Sequence, residues 1–293
     1  MFTIPALIIA VFLVTSPASA GQTDRLLGLQ ALDQLPTDQV QKEKIRLDLQ
    51  VLSRAYGPAI SKVLVQSPKR LYLRLANGQT ILYDDGRMKS PDEKLDHPDL
   101  EDMLSQPYPE GRPTALADLG QDPGRIRVEA FFQAVYGVSA QEVQSRLVAV
   151  PFLGTTVRFH AGNGAAAALG RVAVRCNQLL VHKPQLRPYL LPLQGTFNYR
   201  HIAGTTRLSA HAYGIAIDLH RGTYWRWGKM LTPMELLAVR VAYPQEIVQA
   251  FEAEGFIWGG KWFHYDTMHF EYRPELLIKA RLAKKPDALR PGH

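Results

Sequence analysis

A chain of 293 residues has room for one large domain or two modest ones. Hydrophobic residues make up 46% and charged residues 21%, which excludes a disordered chain and supplies enough apolar side chain for a core without disulfide staples. The single cysteine excludes an intramolecular disulfide, CxxC redox chemistry and a multi-cysteine zinc cluster, and a formal charge of +7 favours an anionic partner without identifying it.

Residues 1–23 carry no charged side chain, and Ala6 to Val14 is a continuous apolar run. Pro17 breaks it, and Ala18-Ser19-Ala20 supplies the small residues a signal peptidase requires. This predicts a signal peptide over residues 1–20 and an exported protein, periplasmic or extracellular. The run is shorter than a usual membrane span, which counts against an uncleaved anchor.

Further on, Thr37 is placed to cap a helix running to Tyr56 with Gly57 as its stop, although Ile45, Leu47, Leu49 and Val51 also alternate as a strand would. Residues 70–86 read as a β-hairpin: Leu71, Leu73 and Leu75 alternate, Asn77-Gly78 makes the turn, and Ile81 and Tyr83 return. The stretch 87–125, rich in Pro, Asp and Gly, reads as a long surface connection. A soft boundary near 140 divides an N-terminal region (21–140) of unassigned role from a second domain (141–277).

In that domain, residues 163–183 predict a helix with Leu169, Val172, Ala173, Cys176, Leu179 and Leu180 on one face and Pro184 as its end. Cys176 on that stripe reads as a packing residue rather than a nucleophile. Residues 244–254 predict a second helix with Ile247, Val248 and Phe251 inward and Gly255 as its stop. The final residues, 278–293, read as a loose basic tail.

Charge is unevenly spread. Residues 143–217 contain no Asp or Glu but eight Lys or Arg, a pattern suited to a carboxylate- or phosphate-bearing ligand or simply to a solvated basic face. Gly162-Asn163-Gly164 with Ala167 fits GxGxxA, but a dinucleotide site also needs an acidic residue about 20 positions on, and none occurs before Asp218. There is no GxSxG elbow, P-loop or HExxH helix. An interleaved aromatic and basic motif is also missing, so nucleic acid is not the expected partner.

The chemistry concentrates in two segments, Ser209-Ala-His211-Ala-Tyr-Gly214-Ile-Ala216-Ile-Asp218 and Asp266-Thr-Met-His269-Phe270-Glu271. In the first, apolar Ile215, Ile217 and Leu219 alternate with Ala216, Asp218 and His220, which predicts a strand with two distinct faces. Gly214 lets the chain bend so that His211 can fold back towards Asp218. The second predicts a turn entering a strand, with His269 and Glu271 on one face and Phe270 and Tyr272 on the other. His211, Asp218 and His269 form a two-His, one-carboxylate set suited to Zn2+, leaving a fourth tetrahedral position for water, as in a catalytic site. Asp266 is placed to act as general base and then to protonate the leaving amine.

SxHxxGxAxD followed by DxxHFE resembles the zinc D-alanyl-D-alanine carboxypeptidase family of bacterial cell-wall peptidases, which includes VanY-type enzymes and L-alanyl-D-glutamate endolysins. The resemblance spans roughly residues 145–275. It implies that His211, Asp218 and His269 bind zinc, that Asp266 is the catalytic acid/base, and that Arg200 is the arginine preceding the SxH motif, with Arg207 its competitor. That arginine would stabilise the oxyanion or hold a substrate carboxylate. The expected protein is therefore an exported zinc peptidase acting on peptidoglycan stem peptides, as a carboxypeptidase or an endopeptidase. Its rival is a catalytically inactive module that keeps zinc and binds the wall. The expected fold is α+β, a central antiparallel sheet carrying the metal and flanked by helices. His220 and His264 are weighed as partners of the site against plain surface or core roles, and Trp258 and Trp262 as walls of a cleft against packing.

Overall fold

The computed structural model describes residues 28–67, 70–225 and 231–284; the expected signal peptide lies outside them. Helix α1 (Gln39–Tyr56) starts one residue later than expected, because the Asp38 side chain accepts the Gln41 N–H at 2.8 Å and so supplies the cap. The strand alternative is not realised. Ile45, Leu49, Leu52 and Tyr56 are buried at helical spacing while Leu47, part of the alternating pattern, is only half-buried.

The expected hairpin is present as β2 (Arg70–Leu75) and β3 (Thr80–Leu82), with Leu73 opposite Ile81 and Gly78 in the left-handed region at φ 86°. A further strand, β1 (Ile60–Ser67), completes an antiparallel meander. Irregularities at both ends of its pairing break the alternation that would have revealed it.

The stretch 87–125 is more than a surface connection. It contains α2 (Pro91–Asp96) and α3 (Leu100–Ser105), each opened by a capping box, and Leu100, Met103 and Leu104 enter the core. Lys89 has its side chain buried among Asp85, Asp99 and Asp102.

After α4 (Glu129–Tyr136) and α5 (Ala140–Ser145), strands β4 (Leu147–Phe152) and β5 (Thr155–His160) form a second antiparallel pair. The glycine-rich GxGxxA segment is a 3-10 turn leading into α6 (Ala165–His182), and Gly162 N–H donates to His160 Nδ1 rather than facing an open site. Cys176 is fully buried on the inner face of α6, as its spacing predicts. Short α7 (Arg187–Leu190) follows.

The third sheet consists of β6 (Ala216–Asp218), β7 (Phe256–Trp258) and β8 (His269–Tyr272), with β8 in the middle and every pairing antiparallel. The described residues thus form an α+β protein with separate small sheets, where a single central sheet was expected. Helices α8 (Pro233–Ala242) and α9 (Gln245–Glu252) precede β7, and Ile247, Val248 and Phe251 of α9 turn inward as expected. Phe251 stacks on Phe270 of β8 at 4.1 Å. Full burial of such a ring contributes about 1.5–3 kcal/mol relative to exposure, which ties the back of the sheet to α9.

The last described element is α10 (Pro274–Ala283), which corrects the expectation of a loose tail over residues 278–283. Leu276, Leu277 and Leu282 are buried, Lys279 donates to the Leu104 carbonyl at 2.8 Å and pairs with Asp48, and Tyr56 of α1 donates to Glu275 at 2.7 Å. Residues 285–293 lie outside the description. One apolar core runs from Leu29 through the meander and α6 to Leu282, across the boundary drawn near 140. Among the described residues no helix is long and apolar enough to cross a membrane.

Candidate metal centre and active site

The register of the third sheet builds the site. Asp218 lies directly opposite His269, Ile217 opposite Phe270, and Ala216 opposite Glu271. Residues directly opposite in an antiparallel pair share a face, so Asp218 and His269 point the same way while Ile217 and Phe270 bury on the other. His211 reaches them from a 3-10 turn (Ala210–Tyr213), whose cap Ser209 accepts the His211 N–H at 3.3 Å. Gly214 ends this turn at φ 66°, and a Cβ there would stand 2.5 Å from Leu147 Cδ2. Both the backbone angle and the close approach require glycine.

The three side chains converge. His211 Nε2 lies 3.2 Å from Asp218 Oδ2 and 3.2 Å from His269 Nδ1, and His269 Nδ1 lies 2.9 Å from Asp218 Oδ1. The outer nitrogens are both committed: His211 Nδ1 donates to the Thr196 carbonyl, and His269 Nε2 donates to Glu271 Oε2 at 3.3 Å. A carbonyl can only accept, so the His211 proton sits on Nδ1 and its Nε2 offers a lone pair. An ionised Glu271 likewise fixes the His269 proton on Nε2. Two imidazole lone pairs and a carboxylate therefore face one another, an arrangement that repels unless a cation or an added proton sits between them.

Tetrahedral zinc with bonds of about 2.0–2.1 Å would hold its ligand atoms about 3.3 Å apart, close to the separations found. The donor set, its spacing and its outer hydrogen bonds fit a divalent metal of the zinc type. Without the metal, burial alone would lower the His269 pKa, but its hydrogen bonds to Asp218 and Glu271 prevail and raise it to about 10. Burial opposes ionisation of Asp218 as well, yet the two histidines hold its carboxyl well below the usual range.

Asp266 lines the same cavity, of about 130 Å3, together with Arg200, Ser209 and Trp262. Its Oδ1 accepts the Met268 N–H at 3.3 Å. Burial raises its pKa, His269 and Arg125 oppose that, and the Asp218 charge adds to it. Arg200 stands exposed at the rim, whereas its competitor Arg207 pairs with Asp96 at 3.3 Å and lines a neighbouring cavity instead.

Of the other residues weighed from the sequence, Trp262 is a wall of the pocket, with its ring 5.5 Å from that of His269. Trp258 is fully buried and donates to the Thr267 carbonyl, a packing role. His220 is exposed and bonds Gln194, and His264 bonds Asp122; neither lines the pocket.

Three further charged groups surround the site. Glu271, placed on the His269 face by alternation, proves to be its hydrogen-bond acceptor and is held by Arg127 at 3.3 Å and Arg273 at 3.1 Å. Arg125 and Arg127 both line the metal pocket although they come from the stretch before α4. No local pattern marks them, since their position arises from packing between segments more than 130 residues apart: Arg127 meets Glu271, and Arg125 Nη2 donates to the His264 carbonyl at 2.8 Å.

Residues 203–272 match the model of the D-alanyl-D-alanine carboxypeptidase family. Over that segment the chain is similar to this family of peptidases. The resemblance read from SxHxxGxAxD and DxxHFE therefore holds for the part of the chain that bears His211, Asp218, Asp266 and His269. The carboxypeptidase match begins after Arg200 and leaves Arg125 and Arg127 outside it. No curated protein and no solved structure matches the chain.

Proposed function

We propose that the chain is an exported, zinc-dependent peptidase that hydrolyses a peptide bond in peptidoglycan stem peptides, as a D-alanyl-D-alanine carboxypeptidase or an L,D-endopeptidase. The observation that carries this reading is the convergence of His211 Nε2, Asp218 and His269 Nδ1, with both outer imidazole nitrogens hydrogen-bonded away from the centre. Bound there, zinc would supply Lewis acidity for the scissile carbonyl and an acidified water.

The protein's own groups do the rest. Asp266, in the same cavity and with its pKa raised by burial, accepts a proton from the attacking water and passes it to the leaving amine. Arg200, exposed at the rim, answers the negative charge of the oxyanion or of a substrate carboxylate. Glu271 and the Thr196 carbonyl hold the two imidazoles in the tautomers that face inward. Trp262 forms a wall of the cavity beside His269.

The test is mass spectrometry of purified muropeptides incubated with the protein, with and without a chelator and with zinc restored. Zinc-dependent loss of one terminal alanine identifies a carboxypeptidase, and an internal cut an endopeptidase. Asp266→Asn is expected to reduce turnover at least about a hundredfold while zinc stays bound, the scale of general acid–base catalysis. Unchanged turnover in that variant overturns the assignment. Zinc binding without any product would make the chain a wall-binding module.

A further inference from the structure

The metal pocket shares Arg125 and Arg127 with a second cavity of about 250 Å3. One wall of it, including Leu95, Pro98 and Val128, comes from the stretch preceding the family match; Leu208 and Tyr213 of the matched segment form the other. Three guanidinium groups line this space, but they differ in how their donors are used.

Arg127 is spent: Nη1 donates to Gly124 O and Glu271, and Nη2 to Leu208 O. Among the described residues Arg125 makes one hydrogen bond from its guanidinium, Nη2 to His264 O, and the group lies over the Trp262 ring at 4.7 Å. Asp122 stands 4.0 Å from Arg125 Nε but directs both of its oxygens to His264. Arg207 makes no guanidinium hydrogen bond among the described residues and only pairs with Asp96 at 3.3 Å. Glu129, the other carboxylate of the cavity, accepts from Leu208 N and Gln133.

Arg125 and Arg207 are thus about three-quarters withdrawn from water, with side chains 26% and 23% exposed, and on each the buried Nε has no hydrogen-bond partner among the described residues. Burial weakens the hold of both on their protons, and Arg207 adds repulsion at Arg125. Removing guanidinium groups from water without filling their donors is costly, and a bidentate carboxylate is the ligand that offsets it. The Trp262 contact, beside the ring of His269, fixes Arg125 relative to the metal site.

We propose that this second cavity is a carboxylate subsite in which Arg125, supplied from outside the family segment, determines specificity and Arg207 assists. The inference rests on the peptidase reading of the adjoining pocket and adds a requirement to it: the substrate carries a free carboxylate within reach of the scissile bond. It also gives the N-terminal region a role, as the second wall of the substrate cleft.

The test uses the full zinc-loaded chain and pairs of synthetic stem peptides that differ only in one carboxyl being free or converted to carboxamide. A charge-assisted pair of this kind corresponds to roughly a tenfold to hundredfold preference. The amide of the recognised carboxyl is expected to raise KM by that factor with little change in kcat. Arg125→Gln is expected to raise KM for the acid to the level of the amide and to leave the amide unaffected. A variant that merely disturbed the fold would raise both. Arg125→Lys and Arg207→Gln serve as milder variants should Arg125→Gln fold poorly; each is expected to lose part of the preference for the acid. Equal KM for acid and amide in the wild type, or an equal rise for both in Arg125→Gln, overturns the subsite and leaves the peptidase reading intact. If neither peptide is cut, the peptidase reading fails, and calorimetry on the same pairs decides the subsite: a preference for the acid supports it, and equal or undetectable binding refutes it.

Discussion

Glu271 links metal affinity to stability, because the carboxylate that accepts from His269 also pairs with Arg127 and Arg273. It is buried and accepts from His269 Nε2 at 3.3 Å, Arg127 Nη1 at 3.3 Å and Arg273 Nη1 at 3.1 Å. Burial by itself would raise its pKa, but Arg127, His269 and Arg273 together hold it at about 2. At 1.36 kcal/mol per pKa unit, that depression corresponds to roughly 3 kcal/mol of folding stability, present above the unfolded glutamate pKa and lost as pH falls towards 2. Glu271→Gln keeps the shape and removes the charge. We expect a loss of about 3 kcal/mol at neutral pH, in line with breaking a buried ion pair. The effect on the metal has a different origin. A glutamine can turn its NH2 towards His269 Nε2, which favours a proton on Nδ1, the nitrogen that faces Asp218. Zinc affinity is then expected to fall about tenfold to hundredfold, measured by competition with a chromogenic chelator on folded protein, with urea unfolding run in parallel. Zinc affinity within about threefold of wild type, alongside the expected destabilisation, would refute the claim that Glu271 sets the His269 tautomer.

Two further outcomes follow from the same geometry. In the metal-free protein the His269 pKa is raised to about 10, so the stability its proton confers is fully present below about pH 6.5 and lost as pH rises from there to about 10. Zinc competes for the same position, so its affinity is expected to rise by up to about tenfold per pH unit over this range, and a pH-independent affinity would contradict the proposed donor set. Gly214→Ala places a Cβ 2.5 Å from Leu147 Cδ2 at a residue with φ 66°. About 1–2 kcal/mol of left-handed strain plus the overlap should destabilise the fold by roughly 2–4 kcal/mol in urea titrations and displace His211, weakening zinc binding; wild-type affinity would show that the turn does not position His211.

The candidate donor set was legible because each of its two segments carries a local pattern. Strand alternation alone sets Asp218 apart from Ile217, and His269 apart from Phe270, and Gly214 marks the turn that returns His211. The helices over Ala165–His182 and Gln245–Glu252 and the hairpin around Gly78 were equally readable, since periodicity and turn chemistry act within a few residues. Two errors came from composition. Residues 87–125 look like a surface connection because Pro, Asp and Gly dominate them, and the C-terminus looks like a tail because it is basic. Yet Leu100, Met103 and Leu104 are buried, and Lys279 finds Asp48 across the fold.

The sequence by itself determined which face of each segment His211, Asp218 and His269 occupy, because alternation on two strands and one glycine turn is a matter of local backbone geometry; their meeting is the pairing of β6 with β8. Only the tertiary structure decided what surrounds them. The arginines that hold Glu271 behind His269, the placing of Arg200 in one cavity and Arg207 in the next, and the arrival of Arg125 from the N-terminal region all depend on contacts between distant segments. Such contacts follow from the packing of one continuous core, and they leave no pattern in the neighbouring residues.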